Sequence, residues 1–402
     1  MTQMESVPAI APPISQSLSP VEWLRKNLFS TWYNSLLTVI CFLGLFQLLT
    51  TISIWLFTQA QWAVVTANLR LFFVGLYPQE LYWRLWFSLL IITTVAGLSW
   101  GYANKGSRLW SRLLLVTLAI IVAVVIFLPI DLSPRLWLLG SIIVAAVGIG
   151  IGRQLSPELG SWLPVALPIC FLIVLWLIKG GLGLEETATS QWGGLLLTLL
   201  MAIVSIILSF PIGVLLALGR QSTLPVVRWL SILYIEIVRG LPLLGILFLA
   251  QVMFPLFLPP EFRQLDRVVR AIAGLVLFSS AYLAENVRGG LQAVPRGQGE
   301  AARALGLNPG LVVLLIVLPQ ALKAVIPAIV GQFIGLFKDT SLLALFGLTE
   351  LIGISRSVSA QPEFLGRYAE VYLFNGLIYW AFCYSMSLAS RRLERKLNVG
   401  HR

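Results

Sequence analysis

Long apolar runs constrain this chain more than any other feature. A helix needs about 20 apolar residues to cross the hydrocarbon core of a bilayer. Runs of that order recur from Ser35 to Ser390. Inside lipid every backbone amide must find its partner within the segment, so such runs are helical. The 402 residues are 58% hydrophobic and 11% charged, whereas a soluble domain carries about 25% charged residues. The expected fold class is an all-α integral membrane protein with about ten transmembrane helices. Five spans are expected over 35–57, 81–103, 113–130, 136–152 and 162–178. Five more are expected over 193–219, 230–257, 268–287, 311–337 and 371–390. The 136–152 segment is short and carries Gly140, Gly148, Gly150 and Gly152. These permit either close helix packing or a re-entrant path.

Charge sets the orientation. The formal net charge is +11. With the N-terminus inside, the inner segments hold Arg25, Lys26, Lys105, Arg108, Arg112, Arg153, Arg220, Arg228, Arg288, Arg296 and Arg303. They also hold the C-terminal group Arg391, Arg392, Arg395, Lys396 and Arg402. The outer segments hold fewer basic residues, and the positive-inside rule accounts for the basic balance without nucleic acid. Residues 1–33 read as a cytoplasmic flexible tail and 34–180 as an N-terminal set of spans. Residues 181–192 read as a polar outer linker, 193–396 as a second membrane unit and 397–402 as a tail.

The residue inventory excludes most chemistry. His401 is the one histidine, which removes histidine catalysis and most metal sites. Cys41, Cys170 and Cys383 all lie in apolar runs and read as packing residues. Gly101-Tyr-Ala-Asn-Lys-Gly106-Ser lacks the lysine that a phosphate loop places after its second glycine. No cofactor is expected on this chain. Ionisable residues in the spans are functional hypotheses by default. Glu236 and Arg239 share a helix face around a Gly240-Leu-Pro242 break, and either pair with each other or meet substrate. Tyr282 and Glu285 share another face; Asp339, Thr340 and Ser341 follow a long apolar run. Lys323 can reach an interface with its flexible stem. Structural pairing, a solvated interface and a simple loop are the competing readings of these groups.

One polar interruption is different. Pro295-Arg-Gly-Gln-Gly-Glu300-Ala-Ala-Arg-Ala-Leu-Gly306-Leu-Asn-Pro-Gly310 separates two apolar segments. Glu300 to Leu305 is made of helix formers, and Gly306 is placed to end that helix in the left-handed conformation. Glu300 is expected in its first turn, with small Ala301 and Ala302 allowing close approach of another surface. Glu300-Ala301-Ala302, three residues, Gly306, nine residues, Ile316, one residue, Leu318-Pro319 resembles the EAA loop of ABC importer permeases. The resemblance implies a coupling helix, Glu300, Ala301, Ala302 and Gly306, docked on a separate ATPase subunit.

Four further stretches resemble permeases of polar amino acid importers of this type I class. They are Gly193 to Leu199, Glu236 to Leu244, Ser280 to Glu285 with Arg288-Gly-Gly290, and Phe337 to Leu342. The resemblance covers about residues 193 to 396 and implies a five-span core with its C-terminus inside. Leu71-Phe-Phe-Val-Gly-Leu-Tyr77-Pro78 with Trp83-Arg84 is similar to general L-amino-acid permeases, whose two chains pair as a heterodimer. The implied protein is a permease of the bacterial inner membrane. Its partners are ABC ATPases that bind ATP and Mg, a second permease and a solute-binding protein that delivers amino acids. Glu285 or Asp339 would accept the substrate ammonium, with Tyr282, Thr340 and Ser341 as hydroxyl donors. An ion-coupled secondary transporter is the main rival, and a membrane enzyme the second.

Overall fold

The computed structural model describes residues 19–398 except 106–111, 128–129, 258 and 260–264. Arg108, Arg263, His401, Arg402 and most of the expected N-terminal tail lie outside the described residues. The chain divides into two units, Met1–Trp62 and Ala63–Arg402.

In the first unit, α1 (Pro20–Asn27) forms inside the stretch expected as a tail. Its start is encoded locally. The Ser19 hydroxyl accepts from the Glu22 amide, and the Glu22 carboxylate accepts from the Ser19 amide. This reciprocal cap satisfies two amides that a helix end leaves unpaired. The bond from the Ser19 backbone also holds the Glu22 carboxyl below its usual range. α2 (Trp32–Ile54) begins on the Thr31 cap and has no buried residue.

The second unit opens with two short helices, α3 (Ala63–Ala67) and α4 (Leu69–Val74). They are followed by α5 (Tyr82–Ala103), α6 (Arg112–Phe127), α7 (Leu132–Gln154), α8 (Pro157–Gly160) and α9 (Leu163–Lys179). α7 is a continuous helix of 23 residues, so the short re-entrant path is not taken. Glycines explain why it packs so closely on α5. A Cβ on Gly101 would sit 2.2 Å from the Ile149 carbonyl oxygen, and one on Gly152 would sit 2.2 Å from that of Leu98. Gly97 and Gly148 fill the same seam, whereas Gly140 and Gly150 face open space. The backbones meet because two i, i+4 glycine pairs face each other.

The remaining helices are α10 (Gly194–Arg220), α11 (Pro225–Gly240), α12 (Leu243–Phe248), α13 (Phe254–Phe257) and α14 (Arg267–Ala293). After them come α15 (Arg296–Ala304), α16 (Pro309–Leu311), α17 (Leu318–Asp339), α18 (Leu351–Ser359) and α19 (Tyr368–Asn398). The expected 230–257 span is broken. Pro225–Gly240 and Leu243–Phe257 bend by 105° at Leu241-Pro242, where proline disfavours helical backbone in the residue before it. Among the described residues, seven helices are long and apolar enough to cross a membrane, or eight with the bent pair. Leu118–Phe127 and Leu163–Lys179 are shorter apolar helices where the third and fifth spans were expected.

α14 is the central post, packed on α10 and α17. One cluster of buried residues gathers Leu197, Met201, Leu247, Leu275, Leu336 and Leu343. A second, toward the other end of α10, gathers Ala217, Ile235, Leu283, Val287, Leu318 and Ala321. The first cluster also takes Tyr77, Val174 and Ile178 from the N-terminal spans, so the Lys179–Trp192 linker lies within one folded unit. The strap formed by α3 and α4 adds to this joint. Val64 and Phe72 are fully buried, and the Phe72 ring lies 5.2 Å from that of Phe374 on α19. The Tyr77 hydroxyl donates to the Ile178 carbonyl at 2.9 Å.

Candidate coupling loop and transport path

α15 is a nine-residue helix between the ends of α14 and the segment that leads into α17. It starts at Arg296, one turn earlier than expected, so Glu300 lies in its middle rather than its first turn. Its end is a paired hydrogen-bond closure. The Gly306 amide donates to the Arg303 carbonyl at 2.9 Å, and the Leu307 amide donates to the Ala302 carbonyl at 3.2 Å. Gly306 has φ +84°, the left-handed conformation that this closure requires. The Asn308 carboxamide then accepts from the Leu311 amide at 2.9 Å and starts the next helix.

The two faces of α15 have different tasks. Gly299 and Ala302 are three apart and share a face. A Cβ on Gly299 would sit 3.8 Å from a Val312 methyl, and Ala302 is 4% exposed. This face is the helix's seat on its own chain, so Ala302 does not present itself to a partner. Glu300, Ala301, Arg303 and Ala304 are exposed, and Leu305 is 84% exposed. A bare leucine on a polar loop costs roughly 1.5–3 kcal/mol relative to burial. Sequence reasoning missed Leu305; its signal is an apolar residue directly before the closing glycine.

The ionisable residues singled out from the sequence separate into two places. Glu236 and Arg239 do not pair with each other among the described ion pairs. Glu236 accepts from Arg220 at 2.9 Å, while Arg239 lies 3.5 Å from Glu285. Glu285 is the hub. Arg220 donates to it at 2.9 Å, and Arg288 donates through Nε and Nη2 at 3.0 and 2.7 Å. The Arg239 guanidinium also stands 5.6 Å from the centre of the Tyr282 ring. Three helices, α10, α11 and α14, are tied at this carboxylate. A substrate ammonium would have to displace a guanidinium to reach it. Lys323 is exposed.

Asp339, Thr340 and Ser341 stand elsewhere. Gly290 of α14 meets Ala321 of α17, and Leu275 shares a cluster with Leu336, so the two helices run antiparallel. From the Gly290–Ala321 level, Asp339 lies about 27 Å and Glu285 about 8 Å along the axes. One amino acid does not touch both carboxylates. Thr340 is fully buried and donates to the Phe337 carbonyl at 2.7 Å. The Asp339 carboxylate has no hydrogen bond or ion pair among the described residues, and the cation that acts on it is the adjacent Lys338.

A buried carboxylate was not foreseen as a site. Glu350 is 0% exposed and accepts from the Ile352 and Gly353 amides at 2.8 and 2.9 Å, capping α18. Burial pushes its carboxyl up to about 7.

Among the described residues no three His, Cys, Asp or Glu side chains gather as a metal site. What remains is a bundle of membrane helices, tied by ion pairs, with one exposed helix presented between two spans. The comparisons specify the kind of protein. The family model for the inner membrane component of binding-protein-dependent transport systems matches residues 209–399. The inner membrane amino-acid ABC transporter permease protein YhdY of Escherichia coli (strain K12) is 39% identical over 394 residues. That match covers 94% of this chain and 93% of the relative. The glutamate/glutamine/aspartate/asparagine transport system permease protein BztC of Rhodobacter capsulatus is 37% identical, covering 97% and 96%. A solved amino acid ABC transporter with histidines matches 50% of this chain and 92% of its own at 29% identity, with a TM-score of 0.45.

The chain belongs to the binding-protein-dependent permeases: it is a multi-pass ABC importer permease of the bacterial inner membrane. It is a transport subunit rather than an enzyme, and the secondary-transporter reading falls away.

Proposed function

We propose that this permease passes amino acids delivered by a solute-binding protein, and that α15 is its contact with the ATPase. ATP and Mg belong to that partner. Closure of two ATPase subunits on ATP pulls the coupling helices together and reopens the path toward the binding protein. Switching is productive because substrate has different affinity for the two states. The observation that carries the reading is the exposed ridge of α15, with Leu305 at its tip and Gly306 fixing its end. Glu300 adds a charge that a basic group on the partner can meet.

A second permease chain completes the path as a heterodimer. Asp339 is the acceptor for the substrate ammonium. Glu236, Arg239 and Glu285 act as a tie between helices beside Tyr282, with Thr340 and Ser341 supporting the Asp339 site. The decisive experiment is co-purification with the ATPase, joined to uptake of radiolabelled amino acids by reconstituted vesicles. Uptake that needs ATP, the binding protein and the ATPase supports the reading. Uptake driven by an ion gradient without ATPase would refute it.

A further inference from the structure

The first unit holds a short helix to which the transport reading gives no role. α1 has eight residues and is closed at its start by the Ser19–Glu22 capping box. At 3.6 residues per turn, Val21, Leu24 and Leu28 fall within about 60° of its circumference. Glu22, Arg25 and Lys26 occupy an adjoining arc of about 100° that begins about 40° from Val21. Trp23 stands at one border between the faces. Val21 and Leu24 are 74% and 43% exposed and Leu28 is half-buried, so most of the apolar side is uncovered, as is Trp23 at 51%.

Its surroundings say what covers it. α1 ends at Asn27 and the span Trp32–Gln59 starts five residues later. The Thr38 hydroxyl on α2 donates to the Leu28 carbonyl at 2.9 Å, so the end of α1 is fastened to the start of the span. Trp32 and Tyr33 are exposed at that same level, and such aromatics favour the headgroup layer. This bond holds the end of α1 beside the start of the span. Its uncovered apolar face meets lipid, and Arg25 and Lys26 meet headgroup phosphates. Anionic lipid near such a surface favours each basic residue by about fivefold.

We propose that α1 is an interfacial helix that binds the anionic phospholipids of the leaflet in which the first span begins. The partner is the lipid surface rather than a protein. Arg25 and Lys26 hold the headgroups, and Val21, Leu24 and Leu28 enter the acyl boundary. The charge of Glu22 stays on the water side, occupied by its own cap.

The test uses the full importer with Cys41, Cys170 and Cys383 replaced by serine. Single cysteines at 21, 22, 24, 25, 26 and 28 carry a nitroxide, in vesicles of phosphatidylcholine with or without phosphatidylglycerol. Collision with oxygen reports lipid, and collision with a nickel chelate reports water. Positions 21, 24 and 28 should favour oxygen, and 22, 25 and 26 the chelate. Arg25→Gln with Lys26→Gln, read from labels at 21, 24 and 28, should lower the ratio of docked to undocked helix about fivefold per charge, with phosphatidylglycerol present. Six positions equally open to the chelate would place α1 in water and overturn the proposal. Shielding from both probes would show a protein partner and overturn it. A contrast that is the same with and without phosphatidylglycerol would overturn the anionic preference.

Discussion

Gly306→Val removes the backbone conformation that closes α15. The left-handed turn at Gly306 carries the two closing bonds, from Gly306 to Arg303 and from Leu307 to Ala302. A Cβ there would meet nothing within 4 Å, so the substitution causes no collision. Its cost is backbone strain, about 1–2 kcal/mol for an ordinary L residue. A β-branched residue is a stronger outlier at positive φ. The closed end of α15 should therefore lose population by roughly 5–30-fold, while the membrane spans remain folded. Gly306→Asn is the control, because asparagine visits this conformation with little strain. In reconstituted vesicles Gly306→Val should keep its membrane level and its permease partner. It should lose ATPase in pull-down and substrate-stimulated ATP hydrolysis, and Gly306→Asn should retain most of both. Equal ATPase retention and equal stimulation in Val, Asn and native protein would refute the reasoning.

Other substitutions test other joints. Glu350 holds its proton more tightly folded than unfolded, so its contribution to stability is full below about 4.5 and is lost as pH rises through about 7. Thermal unfolding of the purified permease should show that decline, and Glu350→Gln should flatten it. Gly152→Leu places a side chain against the Leu98 carbonyl and should destabilise the α5–α7 pair by about 1–3 kcal/mol or more. Gly150→Leu, facing open space, should be silent in the same melting assay. Glu285→Gln weakens the tie among Arg220, Arg239 and Arg288 and should lower the melting temperature. Asp339→Asn should leave melting unchanged and raise the KM for amino acid uptake; an unchanged KM would exclude Asp339 from the substrate site.

Local information was legible in the sequence, and relations between elements were less so. The apolar runs marked most of the spans because lipid imposes their length and helicity. The end of α15 was legible because Gly306 acts within its own turn. The seating of α15 was not. In a nine-residue helix, which side faces the chain depends on its rotation against Val312, and that placed Ala302 inside and Leu305 outside. The charges show the same limit. Spacing allowed a Glu236–Arg239 pair, but Glu236 meets Arg220 and Arg239 meets Glu285, each on a neighbouring helix. The strap of α3 and α4 was too short for any periodic signal. Its place depends on Gly194, whose backbone allows the Phe72 carbonyl to approach.

The central claim is that the exposed ridge of α15 is the ATPase contact. A cysteine at 305, in the assembled importer, tests it directly by cross-linking to cysteines introduced along the ATPase surface cleft. A nucleotide-free complex should give a 305–ATPase product in high yield, and a cysteine at the buried position 302 should give little. A cysteine at 305 that forms no product with any cleft position, and reacts with a soluble thiol reagent equally fast with and without the ATPase, would contradict the account.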